Sequence, residues 1–303
     1  MSKCLYIINP AGHGGKGIRA WDTFKTLWAE PINPEHVVVT EKPGHAREIA
    51  ASAEGVDTFI AVGGDGTIGE VISGIMERER PKPKLALIPT GTGNDIGRNV
   101  GILSMADAVT ALRHGQNRAF DLVRIDCQRN GAQRTGYGFL FGTVGFSAIS
   151  TMKPWMKRWM NAKVAYYLAT FLQILTYRAP HMTVRTKDRE FKDRLYIVIA
   201  GNAEYAGGGG VRMSPHALTD DGLLNITVIP TRSKLNVITR LFPRIAAGTH
   251  IREPRVFYFT DEKVEVHSDP PAVLEVDGDL FGTTPATFTL CAHAIQIICP
   301  PAA

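Results

Sequence analysis

The feature that most constrains this chain is a buried strand that runs straight into a glycine turn and then a helix, at residues 59–72. The apolar run 59–62 has the length and composition of a buried strand. Apolar residues recur at helical spacing from Ile68, and Gly63-Gly64-Asp65-Gly66-Thr67 lies between the two segments. Free backbone N–H groups at a helix N-terminus bind phosphate. The segment therefore predicts a phosphate-binding turn.

Asp65 is unexpected in such a turn, because a carboxylate repels phosphates unless a cation lies between them. We therefore expect Asp65 to act through Mg²⁺. A β-hairpin is the alternative interpretation, since Asp-Gly is common in type I′ turns. No strand-like alternation follows Thr67, which favours the phosphate-binding turn.

Composition narrows the class of protein. The 303 residues are 44% hydrophobic and 21% charged, and the net charge is +5, which favours anionic partners such as nucleotides or membrane surfaces without selecting nucleic acid. The four cysteines form no CxxC pair, and no apolar segment has the length of a bilayer crossing. We expect a cytoplasmic protein that is at most peripheral to the inner face of the membrane.

In the first half, four apolar strand segments alternate with helical segments, which predicts a three-layer α/β domain with a mostly parallel sheet. Ligands of such sheets bind beyond the carboxyl ends of the strands. Four successive strand ends carry Asn9, Thr40, the turn at 63–67 and a second Gly/Thr-rich turn at 91–95. Their convergence predicts a nucleotide site at this edge of the sheet.

A GxGxxG pattern at Gly12, Gly14 and Gly17 follows the first strand. It is a weak indication of a dinucleotide site, because Thr40 stands where a ribose-binding acid is expected. Lys16 could reach a phosphate or be a solvated loop lysine, and these alternatives stay open.

From about residue 122, short strands separated by Gly, Asp and Pro turns predict an antiparallel sandwich or barrel-like domain. We expect residues 1–122, with a C-terminal return at about 291–303, to bind ATP and residues 123–290 to bind the other substrate. A helix expected at 155–177 combines aromatic and basic residues. It either covers the sandwich or contacts an anionic membrane surface through 153–177.

Two acidic segments follow, Asp220-Asp221-Gly222 and Asp277-Gly278-Asp279. Each, taken alone, is typical of a turn. Paired acids beside a glycine also suit a hard cation.

The order of these motifs resembles that of the diacylglycerol kinase-type lipid kinases in their short bacterial form. Gly-Gly-Asp-Gly-Thr alone also occurs in NAD kinases, whereas Gly-Thr-x-Asn-Asp and Asp-Asp-Gly-Leu-Leu favour a lipid kinase. The matching segments are Asn9-Pro10, Thr40, Gly63-Gly64-Asp65-Gly66-Thr67, Gly91-Thr92 with Asn94-Asp95, Gly207-Gly208-Gly209, Asp220-Asp221-Gly222-Leu223-Leu224 and Asp277-Gly278-Asp279.

The resemblance implies an ATP- and Mg²⁺-dependent kinase that phosphorylates the hydroxyl of a lipid such as diacylglycerol. It also implies a structural Mg²⁺ held by the backbone carbonyls of Leu218 and Leu223 and the carboxylate of Asp221, with Asp65 in the network of the catalytic Mg²⁺. The residues expected at ATP are Asn9, Thr40, Gly63, Gly64, Asp65, Gly66, Thr67, Ile68, Gly69, Glu70 and Thr92.

The general base of the family belongs to an Asp-Gly-Glu segment, which aligns with residues 277–279. We assign Asp279 as the base, with Asp277 as its substitute and Asp65 as the third catalytic carboxylate. The family usually has Asn where Gly69 stands and Glu where Asp279 stands. The missing methylene sets the carboxylate back by about 1 Å, a displacement that can cost on the order of a hundredfold in rate.

Two alternatives remain: a kinase of a soluble acceptor such as NAD, and a nucleotide- or lipid-binding regulator with weak turnover. A nucleic-acid binder is disfavoured, because no basic cluster of adequate size is present. The expected partners are ATP and a lipid acceptor, and homodimer formation is left open.

Overall fold

The computed structural model describes residues 3–15, 17–79, 81–90, 93–147 and 162–301. A π-helical turn, Val237–Leu241, joins the last two helices, and 3₁₀ turns lie at Pro34–His36 and His250–Arg252. The helices are α1 (Gly12–Gly15), α2 (Gly17–Trp28), α3 (His45–Ser52), α4 (Asp65–Met76), α5 (Asp95–Val100), α6 (Met105–His114), α7 (Ala162–Thr176), α8 (Lys234–Asn236) and α9 (Phe242–Ala246).

The strands are β1 (Cys4–Ile8), β2 (Val37–Val39), β3 (Thr58–Gly63), β4 (Lys84–Pro89), β5 (Gln116–Arg129), β6 (Ala132–Gly138), β7 (Phe141–Gly145), β8 (His181–Arg185), β9 (Glu190–Gly201), β10 (Leu224–Pro230), β11 (Phe257–Asp261), β12 (Lys263–Asp269), β13 (Val273–Val276) and β14 (Asp279–Cys299).

The first four strands lie side by side in the order β4-β3-β1-β2 and pair in parallel. Every residue of β3 is buried. Because successive side chains of a strand point to opposite faces, β3 is covered on both faces. α3 packs on α4 so closely that a Cβ on Gly74 would lie 2.4 Å from the carbonyl oxygen of Arg47. The polar strand ends identified in the sequence therefore lie at one edge of this sheet.

The remaining strands pair antiparallel: β7 with β9 and β13, β9 with β8 and β10, and β5 with β6. The expected mixed α/β fold with an antiparallel C-terminal half is confirmed. The long strand β14 pairs with β13, β12 and β5, and its residue Ile297 reaches Leu85 of β4. The end of the chain therefore returns to the first sheet.

Both domain boundaries expected from the sequence fall inside a strand. β5 crosses residue 122 and β14 crosses residue 290 without interruption. The division into 1–122 and 123–290 stays a prediction, and no linker marks it.

The helix expected at 155–177 begins, in the described part of the chain, at Ala162 and ends at Thr176, and residues 155–161 lie outside the described residues. Ile174 is buried against Tyr196 and Val237 and so fixes α7 on the second domain. None of the helices among the described residues is both long and apolar enough to cross a membrane.

Candidate active site

The glycine turn lies between β3 and α4, as expected from the sequence. A Cβ on Gly63 would lie 2.5 Å from the side chain of Thr67, so only glycine fits there. Asn9 Nδ2 donates to Thr67 Oγ1 over 2.8 Å, and Asn9 Oδ1 accepts from the amide of Ala11. The buried Thr40 donates its amide to the carbonyl of Ile8. Three strand ends are thus joined around the turn.

Asp65 is held in place by the start of α5. Its carboxylate accepts hydrogen bonds from the amides of Asp95, at 3.1 Å, and Ile96, at 2.9 Å. The carboxylate of Asp95 accepts in turn from the amide of Gly208 at 2.6 Å. Burial, and then the nearby charge of Asp65, raise the pKa of Asp95. Asp95, the last residue of the Gly-Thr-x-Asn-Asp segment, therefore adds its carboxylate to the site. Through Gly208 it contacts the glycine loop of the second domain, residues 207–210.

The remaining residues expected at ATP differ in their surroundings. Glu70 accepts from the amides of Gly44, at 2.8 Å, and Ala46, at 3.2 Å, so its carboxylate stabilises the start of α3. Ile68 is buried in the core. Gly64 is the N-cap residue of α4, and Gly66 and Gly69 lie in its first turns. Thr92 lies outside the described residues.

The acidic segment 277–279 forms a hairpin between β13 and β14. Asp277 and Gly278 are its two central residues, with φ of 49° and 88°, which is the geometry of a type I′ turn. The Asp277 carboxylate accepts from the amides of Phe139, Leu140 and Phe141 at 2.7, 2.8 and 3.0 Å. Burial of this carboxyl group raises its pKa to about 6, although the three amides favour the charged form.

Asp279 is placed differently from Asp277. It is the first residue of β14 and is exposed, and its carboxylate makes no hydrogen bond or ion pair with any residue in the described ranges. Its side chain lines the same cleft as Asp65. Of the two acids of the hairpin, Asp279 is the one whose carboxylate is available to a ligand.

Two cavities meet at this point. A cleft of about 490 Å³ lies between the glycine turn with α4 on one side and β6 with the hairpin on the other, and Asp65, Gly66, Glu70 and Asp279 line it. A second cavity, of about 330 Å³, extends into the second domain. Asp65 and Asp277 line both. A ligand in the cleft would therefore face a ligand in the second cavity across these carboxylates.

The second cavity is mainly apolar. Gly207 and Gly208, both at positive φ, form part of its wall next to Asp95. Volumes of a few hundred cubic ångströms with apolar walls are typical of small-molecule sites. Its apolar lining includes Phe141, Ile199, Met213, Leu241 and Ile245.

The segment 216–223 is held by acidic groups. Asp221 accepts from the amide of Leu223 at 3.0 Å, and burial raises the pKa of its carboxyl group. Asp121, fully buried, accepts from the amides of Gly222, at 2.8 Å, and His293, at 2.7 Å. The described ranges contain no group of three or more His, Cys, Asp or Glu side chains that could hold a metal ion. The exposed carboxylate of Asp221 nevertheless provides an oxygen ligand of the kind that a hard cation binds.

Sequence reasoning did not identify Asp121 and Asn202 as site residues. Asn202, fully buried, donates to the carbonyls of Asp121, at 3.1 Å, and Phe139, at 2.8 Å. It thereby connects the segment that holds Asp277 to the segment that holds Gly222. An acid flanked by Phe120 and Leu122 in an apolar run was the available signal for Asp121, because such an acid must be hydrogen-bonded.

The chain has a two-domain α/β fold with a glycine-lined cleft, and the family models that it matches place it in the class of kinase-type phosphotransferases. Residues 3–125 match the diacylglycerol kinase catalytic domain, and residues 143–299 match the YegS C-terminal NAD kinase beta sandwich-like domain. The chain belongs to the diacylglycerol kinase family, in the short bacterial form, which confirms the family predicted from the order of the motifs.

Curated relatives support this family. The diacylglycerol kinase of Mycobacterium tuberculosis (strain ATCC 25618 / H37Rv) is 28% identical, over 99% of this chain and 96% of its own. The diacylglycerol kinase of Staphylococcus aureus (strain Newman) is 27% identical, over 86% of this chain and 81% of its own.

Two solved structures share the fold. A diacylglycerol kinase from Bacillus anthracis str. Sterne has a TM-score of 0.69 and 22% identity, covering 99% of this chain and 97% of that chain. Yeast NADH kinase complexed with NADH has a TM-score of 0.51 and 13% identity, covering 100% of this chain and 84% of that chain. At these identities the comparison concerns the fold alone.

Proposed function

We propose that this protein transfers the γ-phosphoryl group of ATP to the hydroxyl of a lipid such as diacylglycerol. One observation carries the proposal: an apolar cavity and a polar, glycine-lined cleft share the wall formed by Asp65 and Asp277. A phosphate donor in the cleft and an apolar acceptor in the cavity would meet there. The names of the curated relatives point to the same acceptor class.

The glycine turn is the proposed phosphate site. Its backbone amides at the start of α4 would donate to the phosphates, and Asn9 and Thr67 hold the turn in shape. The helix dipole adds favourable charge at the same end. Mg²⁺, when bound, would neutralise charge on the phosphates. Asp65, already oriented by two amides, is the carboxylate that would hold it.

Asp279 is the proposed general base. It would accept the proton of the lipid hydroxyl as the hydroxyl oxygen bonds to the γ-phosphorus and the bond to the β-phosphate oxygen breaks, which releases ADP. Asp277 is less suited to this role, because its carboxylate is already bonded to three amides. We assign Asp277 the role of fixing the hairpin that carries Asp279.

The cation and membrane roles are part of the same proposal. A structural Mg²⁺ would be held by Asp221 and the carbonyls of Leu218 and Leu223. Peripheral contact with the inner face of the membrane would involve α7, whose Phe171 and Leu175 are 47% and 40% exposed.

The proposal is tested with [γ-³²P]ATP and mixed micelles that contain diacylglycerol, ceramide, a sphingoid base or phosphatidylglycerol, with NAD as the soluble acceptor. We expect at least one labelled lipid and no labelled NADP. Labelled NADP would instead indicate a kinase of a soluble acceptor. ATP binding by calorimetry without transfer of the γ-phosphoryl group to any acceptor would instead indicate a nucleotide- or lipid-binding regulator.

A further inference from the structure

A third cavity, of about 430 Å³, lies beside the apolar cavity and has a different character. Its charged lining residues are all basic: Arg178, Arg194, Arg232 and Lys234. No Asp or Glu of the described residues lines it. We call this cavity the basic pocket.

The positive charge of the basic pocket is poorly compensated. Arg232 lies 3.7 Å from the buried Glu253, but Arg240 and Arg244 pair with the same carboxylate. Burial, and then the charges of Arg255 and Arg240, lower the pKa of Arg232. Desolvation disfavours the charged guanidinium of Arg232, so an anion bound in the pocket would stabilise it.

The side chains of the other cations of the pocket make no ion pair with a carboxylate among the described residues. Arg194 donates from Nε to His181 Nε2, and Lys234 donates to the carbonyl of Leu175. Asp193, the nearest acid along the chain, pairs with Arg255. Arg178 is exposed and makes no ion pair with any residue in the described ranges. An anion entering the pocket would therefore not have to displace a carboxylate from the side chains of Arg178, Arg194 or Lys234.

Two tyrosines complete the wall. The hydroxyls of Tyr177 and Tyr196 are buried and have no hydrogen-bond partner within the described part of the chain. Tyr196 is only 7% exposed. Burial raises the pKa of both phenols, so both remain protonated donors. A buried polar group without a partner is costly, so each hydroxyl is a donor that an anion in the pocket could satisfy.

We propose that the basic pocket binds a phosphate group, held by the guanidinium groups of Arg178, Arg194 and Arg232, the ammonium of Lys234 and the two tyrosine hydroxyls. Guanidinium groups and hydroxyls are the donors that proteins use for phosphate. Tyr196 and Val237 line both the basic pocket and the apolar cavity, so the bound phosphate would lie next to the lipid acceptor.

The phosphate can come from an anionic phospholipid headgroup or from a soluble phosphate ester. Leu235, 72% exposed, follows Lys234 directly, and Leu175, 40% exposed, provides the carbonyl that Lys234 contacts. Apolar side chains at the edge of a basic pocket favour the headgroup, because they suit the acyl region of a membrane surface.

Binding, rather than turnover, tests this proposal, so its outcome is independent of the acceptor in the main reaction. Inorganic phosphate and glycerol 3-phosphate are titrated by calorimetry, and vesicles of phosphatidylcholine with or without phosphatidylglycerol are tested by co-sedimentation. Three variants are compared: Arg178→Gln with Arg194→Gln, Tyr196→Phe alone, and a charge-matched control, Arg185→Gln with Lys263→Gln, whose residues pair with Glu190 and Glu265 at the surface.

We expect the double pocket variant to bind at least about tenfold more weakly than the wild type, Tyr196→Phe to bind more weakly, and the control to bind as the wild type does. Binding of glycerol 3-phosphate would assign a soluble ester. Binding only of vesicles with phosphatidylglycerol would assign a lipid headgroup. The proposal is overturned if the wild type binds none of these probes, or if the pocket variants and the control bind alike. Far-UV circular dichroism checks that each variant is folded.

Discussion

Two aspartates separated by one glycine have different roles in this site. The backbone turns at Asp277 and Gly278, and this turn directs the Asp277 carboxylate to three amides of the segment 139–141. Asp279 is left at the first position of the next strand, facing the cleft. The hairpin interpretation and the catalytic interpretation of this segment are therefore compatible, since the turn positions Asp279, the proposed base.

Asp277 makes stability depend on pH. Its pKa is about 6 in the folded protein against an ordinary value of 3.8, so between these values the folded state keeps a proton that the unfolded state has lost. The protonated carboxyl group stabilises the folded state by on the order of 3 kcal/mol. This stabilisation is fully present below about pH 4 and is lost as the pH rises through 6. We therefore expect the free energy of unfolding, measured with urea in metal-free buffer, to decrease between about pH 4 and pH 6. The decrease should be smaller for Asp277→Asn than for the wild type. Parallel curves would contradict the assignment.

Asp279 controls the rate if it is the base. Asp279→Asn keeps the size of the side chain but cannot accept the proton, so kcat should decrease by about 10² to 10⁴ while the Kd for ATP is unchanged. Asp279→Glu restores the missing methylene and should raise kcat. Steady-state kinetics with the preferred lipid measures both, and equal kcat in Asp279→Asn and the wild type would exclude Asp279 as the base.

For single residues, the sequence predicted where the glycine turn lies, because its backbone geometry is local, and the roles of its residues at ATP stay predictions. Gly63 is required by its contact with Thr67, only four residues away. The partners of Glu70 and Asp277 could not be predicted, because the amides that they bind lie at Gly44 and Phe139, far away in sequence. Long-range hydrogen bonds leave no pattern in one sequence.

Among the elements, α4 contains three glycines, and two of them have opposite surroundings. A Cβ on Gly69 would contact nothing within 4 Å, whereas a Cβ on Gly74 would lie 2.4 Å from the carbonyl oxygen of Arg47 in α3. Gly69→Ala should raise the free energy of unfolding by about 1 kcal/mol through helix propensity, and Gly74→Ala should lower it by about 1–3 kcal/mol through overpacking. Chemical denaturation measures both, and destabilisation by both changes would show that α4 packs differently.

The segment 216–223 provides a test of the structural cation. If Asp221 helps to hold Mg²⁺, the free energy of unfolding of the wild type should rise with Mg²⁺ concentration, by about 2.7 kcal/mol at a concentration one hundred times the Kd. Asp221→Asn should lose most of this dependence. Asp188→Asn is the control, because Asp188 lies in the β8–β9 turn, away from this segment. An equal response of all three proteins to Mg²⁺ would show that Asp221 holds no structural Mg²⁺.

Element order followed from the sequence better than element length did. The alternation of strands and helices indicated β1 to β4 and the helices between them. Only short strands were expected after residue 122, whereas β14 runs as one strand from 279 to 299. Register shifts at 283/287 and 291/295 interrupt the apolar alternation on which strand prediction depends, so the single strand looked like fragments.

In the whole molecule, the antiparallel pair β5 and β14 connects the two halves of the chain. Asp121 of β5 accepts from the amide of His293 at the register shift of β14, and its carbonyl accepts from Asn202. The two-lobed organisation was predicted from the change of strand pattern near residue 122. The apolar cavity was not, because its wall combines β7, β9, the π-helical turn and α9, which are remote in sequence. Its position beside the glycine turn is the basis of the proposed acceptor class.

The central claim is that the apolar cavity holds the acceptor while the cleft holds ATP. Its most direct test is the steady-state kinetics of Ile245→Trp, which narrows the cavity from a half-buried position, with Leu103→Trp at a 57% exposed site as control. We predict that the KM for the lipid rises at least about tenfold in Ile245→Trp, while its Kd for ATP is unchanged. Both constants of the control Leu103→Trp should equal those of the wild type. An unchanged lipid KM in a folded Ile245→Trp variant would contradict the claim.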